Sequence, residues 1–220
     1  MKGCQRHYGL SPFYPLFQPF RRCRVSARKS VPGWFIQGHI AFRLLLIGFC
    51  ALLSGCSASV GDYLGTKPTF DLFRYFDGQV QAWGMVQDRS GKQIRRFEVM
   101  ITGTVQGHQL TLNENFVFND GEKQQRIWRI TRHQDGSYTG TADDVVGTAK
   151  GQVAGNALNW RYVLRVPVGD STYDIQFDDW MYLQDKQHMF NVAEMSKWGW
   201  KVGQVTLFFK KLDSDKANVQ

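Results

Sequence analysis

The sequence predicts a mainly β domain, an antiparallel meander that curls into a closed or nearly closed barrel of about nine or ten strands. Turn-forming residues recur about every 15 residues between positions 88 and 170, which leaves roughly ten residues for each strand. The stretches between these turns alternate apolar and polar residues, as a strand with one buried and one hydrated face requires. Pro68 and Pro167 are the only prolines after residue 56, and both fall at or near predicted strand edges.

Residues 1–55 are predicted to be a leader that lies outside this domain. They hold eight of the 27 Lys and Arg residues and none of the 19 Asp and Glu residues, so the formal net charge of +8 belongs to the leader. The remaining chain is balanced, which removes the electrostatic argument for a nucleic-acid partner. Because residues 1–39 make the leader about twice the usual length, we expect the true translation start to lie between about Val31 and Ile40.

The end of the leader indicates where the chain is processed. Arg43 precedes the apolar run 44–53, which is too short to span a membrane as a helix, since a span needs roughly 20 residues. The run ends in Leu53-Ser54-Gly55-Cys56, which resembles the lipobox of bacterial lipoproteins. The resemblance implies cleavage before Cys56 and attachment of diacylglycerol to its thiol. An ordinary signal peptide that ends near a cysteine is the alternative.

The residues at the cleavage point also bear on location and cysteine chemistry. Ser57, rather than Asp, follows the cysteine, which in lipoproteins of Gram-negative bacteria implies delivery to the outer membrane, facing the periplasm. Cys56 would be the only cysteine left after cleavage, so no internal disulfide is expected. The predicted location is therefore the bacterial cell envelope, with the membrane as a partner through lipidated Cys56.

Three segments are predicted after the leader. A tether, residues 56–67, leads into the barrel domain, residues 68–211, and a polar tail, residues 212–220, is expected to be disordered. The best helix candidate is a short segment from Pro68 to Asp77 at the start of the domain. One longer interval between turns leaves room for a further turn near Gly147.

Four predicted strands show the apolar alternation clearly, and in each the apolar face is expected to be the dry one. These faces are formed by Phe97, Val99, Ile101, Gly103 and Val105, by Trp160, Tyr162, Leu164 and Val166, by Tyr173, Ile175 and Phe177, and by Val205, Leu207 and Phe209.

Specific motifs extend from about Phe70 to Lys211. They are Phe76-Asp77-Gly78 through Trp83-Gly84, Asp88-Arg89-Ser90-Gly91, Tyr138-Thr139-Gly140 with Ala142-Asp143-Asp144-Val145-Val146-Gly147, Gly155-Asn156-Ala157-Leu158-Asn159-Trp160-Arg161-Tyr162, Phe177-Asp178-Asp179-Trp180-Met181, and Met195-Ser196-Lys197-Trp198-Gly199. Together they resemble a family of bacterial lipoproteins catalogued as domain of unknown function 3833. The resemblance implies a lipoprotein without an established activity. Genes of the family often lie beside genes for fatty-acid modification, which favours a lipid-related role.

Two acidic pairs, Asp143-Asp144 and Asp178-Asp179, are candidates for acid–base chemistry. Neighbouring residues on a strand point to opposite faces, so neither pair converges by itself. One Asp from each pair could meet the other across a barrel mouth as general acid and base. The structural alternative is a turn for the first pair, and a strand end or an ion pair with Arg161 or Arg165 for the second.

No metal or cofactor site is predicted. His108, His133 and His188 lie beside turns or among polar residues, and none has a partner at metal-ligand spacing. The sequence also lacks a Gly-x-Ser-x-Gly nucleophile motif and a phosphate-binding glycine loop.

The aromatic residues carry the strongest indication of function. Large rings on inward faces either fill a barrel or line a cavity for an apolar ligand. Trp198 and Trp200 are expected to share one face of one strand. Six tryptophans follow residue 56, namely Trp83, Trp128, Trp160, Trp180, Trp198 and Trp200.

These observations predict a non-enzymatic envelope lipoprotein whose lipocalin-like barrel binds or carries a fatty acid or another lipid-like molecule. An enzyme that modifies such a molecule with acidic residues of the cavity is one alternative. A structural or assembly lipoprotein with a filled barrel and a protein partner is another. The residues expected to contact the ligand are Trp83, Asp143, Asn156, Trp160, Arg161, Tyr162, Asp178, Trp180, Trp198 and Trp200.

Overall fold

The computed structural model describes residues 57–213. The predicted leader, the lipidation of Cys56 and residues 214–220 of the predicted tail therefore lie outside the described residues. Residues 57–213 form one compact unit. Among residues 57–213, no helix combines the length and the apolar character needed to cross a membrane.

Ten antiparallel strands form a closed barrel, which confirms the predicted fold. Each strand pairs with its neighbours in the chain, and the last strand pairs back with the first. The strands are β1 Gly78–Asp88, β2 Gln93–Gln106, β3 Gln109–Phe118, β4 Lys123–Arg132, β5 Tyr138–Thr141, β6 Ala149–Ala154, β7 Ala157–Val168, β8 Ser171–Leu183, β9 His188–Lys197 and β10 Trp200–Lys211.

The strands bury most of the faces that the alternation predicts to be dry, but Tyr173 of β8 is exposed. In β2, Phe97, Val99 and Ile101 are buried, whereas Glu98 and Met100 between them are exposed. The apolar core is therefore formed inside the barrel by every second residue of the wall.

One end of the barrel is closed by a short helix, α1, Leu72–Phe76. It lies within the segment from Pro68 to Asp77 where the sequence predicts a helix. Asp71 caps it, because its carboxylate accepts hydrogen bonds from the backbone N–H groups of Phe73 and Arg74 at 3.0 and 3.2 Å.

The helix packs tightly into the barrel end. The Phe76 ring meets the Phe209 ring of β10 edge-on at 6.0 Å. Gly103 of β2 makes this approach possible, since a Cβ at that position would lie 1.8 Å from the Phe76 carbonyl oxygen. The closed end is therefore specified by a buried aromatic contact and a glycine that leaves room for it.

The opposite end of the barrel is open. The turns after β1, β3, β7 and β9 surround it. Ile94 and Pro167 lie beside the opening and contribute to the cavity, although both are exposed to solvent. Other exposed apolar side chains at this end are Val168, Trp198, Trp200 and Val202.

The chain joins the barrel at the closed end. A 3₁₀ helix, Val60–Tyr63, precedes α1, and the Tyr63 ring lies 5.7 Å from that of Trp180 on the outside of the barrel. Thr66 Oγ1 donates a hydrogen bond to Asn156 Oδ1 at 2.8 Å. Much of the segment predicted as a tether is therefore packed against the wall.

The wall is thinnest at β5 and β6, which have only four and six residues. Residues 142–148 connect them and cover the gap between β4 and β7 towards the open end. Val146 N donates to Val163 O at 2.8 Å, and Arg165 N donates to Asp144 O at 2.8 Å. Gly147 adopts a positive φ of 73° in this connection, where the sequence leaves room for a turn.

Candidate functional site

A cavity of about 400 Å³ occupies the barrel interior. This volume lies within the range of small-molecule sites, roughly 300–1,000 Å³. Its walls are mainly aliphatic and aromatic. The apolar lining includes Phe76, Val86, Phe97, Val99, Leu112, Phe116, Phe118, Trp128, Trp160, Tyr162, Phe177, Met181, Met195, Val205, Leu207 and Phe209.

A cluster of charged side chains interrupts this apolar wall. Arg126 of β4 forms a two-pronged ion pair with Asp144, with Nε and Nη2 at 2.9 and 2.7 Å from Oδ2. Glu114 lies directly opposite Arg126 in the β3–β4 register, and its Oε2 is 3.8 Å from Arg126 Nη1. The Arg126–Asp144 ion pair connects the wall of the barrel to the 142–148 connection, which covers the gap between β4 and β7.

Asp179 of β8 completes the cluster from the other side of the cavity. The Asn191 side-chain amide donates a hydrogen bond to its carboxylate, and Asn191 also donates to Trp180 O at 3.1 Å. Nearby, the Tyr162 ring stacks on Phe177 with centroids 4.9 Å apart. We name Glu114, Arg126, Asp144 and Asp179 the interior polar cluster.

Burial changes the acidity of two members of this cluster. Desolvation raises the pKa of Glu114 from 4.5 to about 7, although Arg126 opposes the rise. Desolvation likewise raises the pKa of Asp179 from 3.8 to about 7, against hydrogen bonds from Asn191 and Tyr162. Both carboxyl groups therefore titrate close to neutral pH.

Two further arginines contribute to the cavity near its opening. Arg95 Nη2 lies 3.0 Å from Asp120 Oδ2 and also pairs with Glu122, while its guanidinium lies 3.5 Å from the centroid of the Phe118 ring. Arg165 Nε lies 3.1 Å from Asp174 Oδ1. Both of these arginines are thus paired with carboxylates near the opening.

Of the ten predicted ligand contacts, Trp160 and Tyr162 line the cavity. They are neighbours on the inward face of β7, and the rings of both meet the Trp128 ring edge-on, at 5.7 and 5.4 Å. Gly140 and Gly151 leave space for the Trp160 ring, which a Cβ at either position would approach to less than 3 Å.

Trp83 and Trp180 lie on the outside of the barrel. The Trp83 ring stacks against Phe208 at 6.3 Å, and Trp180 stacks against Tyr182 at 6.1 Å. Both alternate with inward residues of β1 and β8, so their rings cover the outer wall instead of lining the cavity.

Trp198 and Trp200 do not share a face of one strand, and that prediction is wrong. Trp198 and Gly199 form the two-residue turn between β9 and β10, with φ values of 52° and 79°. Trp200 begins β10. Both rings are largely exposed, 85% and 77%, at the open end.

The predicted polar contacts also lie away from the cavity lining. Asp178 pairs with Arg161 at 3.3 Å on the outer face of β7 and β8, as the structural alternative expected. Asp143 is exposed beside Asp144. Asn156 lies at the closed end, where it donates to Leu183 O at 3.0 Å.

In each acidic pair, the structure brings the other member to the cavity. Asp144 and Asp179 both line it, as the prediction of one Asp from each pair allows. Glu114 and Arg126 were missed altogether. The sequence could have indicated both, because Glu114 lies two residues after Leu112 and Arg126 two residues before Trp128. Each therefore falls on the apolar, inward face of its strand.

No group of three or more His, Cys, Asp or Glu within residues 57–213 has the arrangement needed to hold a metal ion. The carboxyl groups of the interior polar cluster can accept hydrogen bonds and transfer protons.

Comparison with known proteins places this barrel in a family. A family model described as protein of unknown function (DUF3833) matches residues 50–211, which include every strand. No curated protein matches the chain. The chain therefore belongs to the DUF3833 family of proteins of unknown function.

Proposed function

We propose that the barrel binds a lipid-like molecule in its interior and exchanges it through the open end. The observation that carries this proposal is the cavity of about 400 Å³, in which aromatic and aliphatic walls surround a small polar cluster. An apolar chain that replaces water in such a cavity gains free energy in proportion to the apolar area that it buries. The polar cluster would orient the head group.

The open end supports the same proposal. Trp198, Trp200, Val168 and Val202 expose apolar surface around it, and Lys197 and Lys201 lie on either side of the tryptophans. Tryptophan and lysine together suit the boundary between lipid and water. We infer that these side chains contact a lipid surface from which the ligand enters.

The direct test is mass spectrometry of small molecules retained by the barrel. The test uses a chain of residues 57–220, which contains every strand of the barrel and is purified without any detergent. We expect a lipid-like molecule at close to one per chain. A chain that is empty and takes up no added lipid would contradict the proposal and favour a structural role.

A pair of variants of β10 sharpens this test. Val205→Phe adds volume inside the cavity, and Thr206→Phe adds the same ring on the outer face of the same strand. We expect Val205→Phe to reduce retained and added ligand severalfold, because the ring takes the place of the ligand, whereas Thr206→Phe retains the ligand. Equal retention by both variants would place the ligand elsewhere.

We further propose that the domain is held at the bacterial cell envelope by a lipid on Cys56. The lipobox-like Leu53-Ser54-Gly55-Cys56 and a family match that starts at residue 50 support this. The test is the intact mass of the protein from a membrane fraction, which should begin at Cys56 and carry acyl chains. Cys56→Ser should abolish that modification and release the protein.

An enzyme acting on the bound molecule is the second candidate, and one observation favours it. Glu114 and Asp179 have pKa values of about 7, which suit a general acid or base. Asp179→Asn should then keep ligand binding and stop any conversion of the bound molecule, as followed by its mass. Conversion at the same rate by this variant would exclude Asp179 from such a role.

A further inference from the structure

The interior polar cluster contains more negative than positive groups. It has three carboxyl groups, those of Glu114, Asp144 and Asp179, and one guanidinium, that of Arg126. Arg126 is engaged on two sides, by Asp144 at 2.7 Å and by Glu114 at 3.8 Å. A ligand carboxylate that approached this cation would therefore lie beside the carboxyl groups of Asp144 and Glu114, whose negative charges would repel it.

The two arginines that line the cavity near its opening are also already paired. Arg95 pairs with Asp120 and Glu122, and Arg165 pairs with Asp174. An anionic head group gains little from these arginines unless it breaks their existing ion pairs.

The acceptors of the cluster, by contrast, have unused capacity. Glu114 lies in ion-pair range of Arg126, but none of the hydrogen bonds of residues 57–213 involves its carboxylate. Its side chain is only 14% exposed, and it lines the cavity. Asp179, on the opposite wall, is 6% exposed and accepts from Asn191. A carboxylate has about four acceptor sites, so both residues can accept further hydrogen bonds from a ligand.

We propose that the interior polar cluster binds a hydrogen-bond-donating head group without negative charge, such as the amine or hydroxyl of a long-chain lipid, and selects against an ionised carboxylate. This inference rests on the proposed function and deepens it by assigning the class of ligand. The groups that face the head are Glu114, Asp179, Asp144, Arg126 and the Tyr162 hydroxyl, and among them donors are fewer than acceptors.

The proposed ligand class differs from a free fatty acid, which is one of the ligands that the sequence predicts. An ionised fatty acid would place a carboxylate beside Glu114 and Asp179 in a medium of low polarity, where like charges repel strongly. An ammonium group in the same place is attracted, and a hydroxyl group donates without a charge.

The test is competition for the cavity between three molecules with the same chain. The chain of residues 57–220 is loaded at pH 8 with the uncharged fluorescent probe N-phenyl-1-naphthylamine, and dodecylamine, dodecan-1-ol or dodecanoate is added. At pH 8 the carboxyl groups of Glu114 and Asp179, whose pKa values are raised to about 7, are mostly ionised. We expect dodecylamine to displace the probe at a concentration at least about tenfold lower than dodecanoate, with dodecan-1-ol between them.

Variants connect the preference to the cluster. The double variant Glu114→Gln with Asp179→Asn should reduce the preference for dodecylamine to less than about threefold, because it removes two carboxylates. Its matched control, Glu98→Gln with Asp143→Asn, removes two exposed carboxylates and should keep the full preference. The comparison of ligands on the unmodified protein stands even if the double variant does not fold.

The outcomes separate the two proposals. Dodecanoate binding as tightly as dodecylamine would overturn the head-group inference and leave lipid binding intact. A preference that persists in the double variant would overturn the role of the cluster. Failure of the probe and of all three ligands to bind would overturn the proposed function itself.

Discussion

Glu114 and Asp179 make the stability of the barrel depend on pH. Their pKa values rise from 4.5 and 3.8 to about 7 in the folded state. Between about pH 4 and pH 7 the folded protein therefore holds more protons than the unfolded chain, so the free energy of unfolding falls as the pH rises. About one pH unit above these folded-state pKa values the loss is complete, and it amounts to on the order of 3–4 kcal/mol for each group.

We expect Glu114→Gln to remove the decrease in the free energy of unfolding that ionisation of Glu114 causes at high pH. At pH 8.5 the variant should be more stable than the unmodified protein by on the order of 1–3 kcal/mol, whereas at pH 4 the two should differ little. Guanidinium denaturation of the 57–220 chain at both pH values measures this difference. Glu98→Gln, on the exposed face of β2, should change neither value. A gain of equal size at both pH values would attribute the effect to packing.

The sequence held the information that places these residues, within limits. Asp179 lies two residues after Phe177, which was predicted to face inward, and Glu114 lies two residues after Leu112. Each carboxyl group therefore shares the strand face of that apolar neighbour. A charge that interrupts an apolar alternation therefore marked the cluster. The partner of each charge could not be predicted, because Arg126 and Asp144 meet only through the path of the 142–148 connection.

The β9–β10 hairpin places a bulky residue in an unusual backbone conformation. Its two-residue turn has positive φ at both positions, the geometry for which Asn-Gly is preferred. Trp198 occupies the first position at φ 52°, where a side chain of this size is strained by about 1–3 kcal/mol. In the sequence, Gly199 indicates the turn. The two-residue spacing of Trp198 and Trp200 concealed it, because the first residue of a two-residue turn and the first residue of the next strand also lie two positions apart.

We expect Trp198→Asn to stabilise the hairpin and to weaken contact with lipid. Asparagine tolerates the left-handed region, so the free energy of unfolding should rise by about 1 kcal/mol. Loss of the exposed ring should lower binding to anionic phospholipid vesicles severalfold, measured by cosedimentation. Trp198→Ala should lose the vesicle binding without the gain in stability. Phe190→Ala, an exposed aromatic residue distant from the turn, should keep the vesicle binding. Unchanged binding by the first variant would contradict a lipid-facing hairpin.

Over the whole molecule, the barrel closes with a wall of uneven depth. β7 and β8 pair over twelve residue positions, whereas β5 and β6 pair over three. Strand number and closure could be predicted from turn spacing and alternation, because both follow from the period of the chain. The gap between β4 and β7 and its cover, residues 142–148, could not be predicted, since the polar and apolar residues of this connection show no periodic pattern.

Local opening should start at this thin sector. The Arg126–Asp144 ion pair holds the 142–148 connection in place, so we expect amide hydrogens of β5, β6 and this connection to exchange earlier than those of β7 and β8. Asp144→Asn should increase exchange there several-fold. Asp143→Asn, its exposed neighbour, should not. Hydrogen exchange measured by mass spectrometry distinguishes the two variants. Equal exchange rates in both would show that the ion pair does not hold the connection in place.

The packing of residues 60–66 at the closed end gives the molecule a direction in space. β7 alone, with 12 residues, extends roughly 30 Å along the barrel axis, and the opening lies at its far end. A protein held by Cys56 would therefore stand on its membrane with the opening turned outward, too far from that bilayer for the exposed hairpin to reach it. A lipid surface in contact with the hairpin would then belong to a second membrane or particle. The bound ligand would pass between that surface and the interior of the barrel without returning to the membrane that anchors the protein.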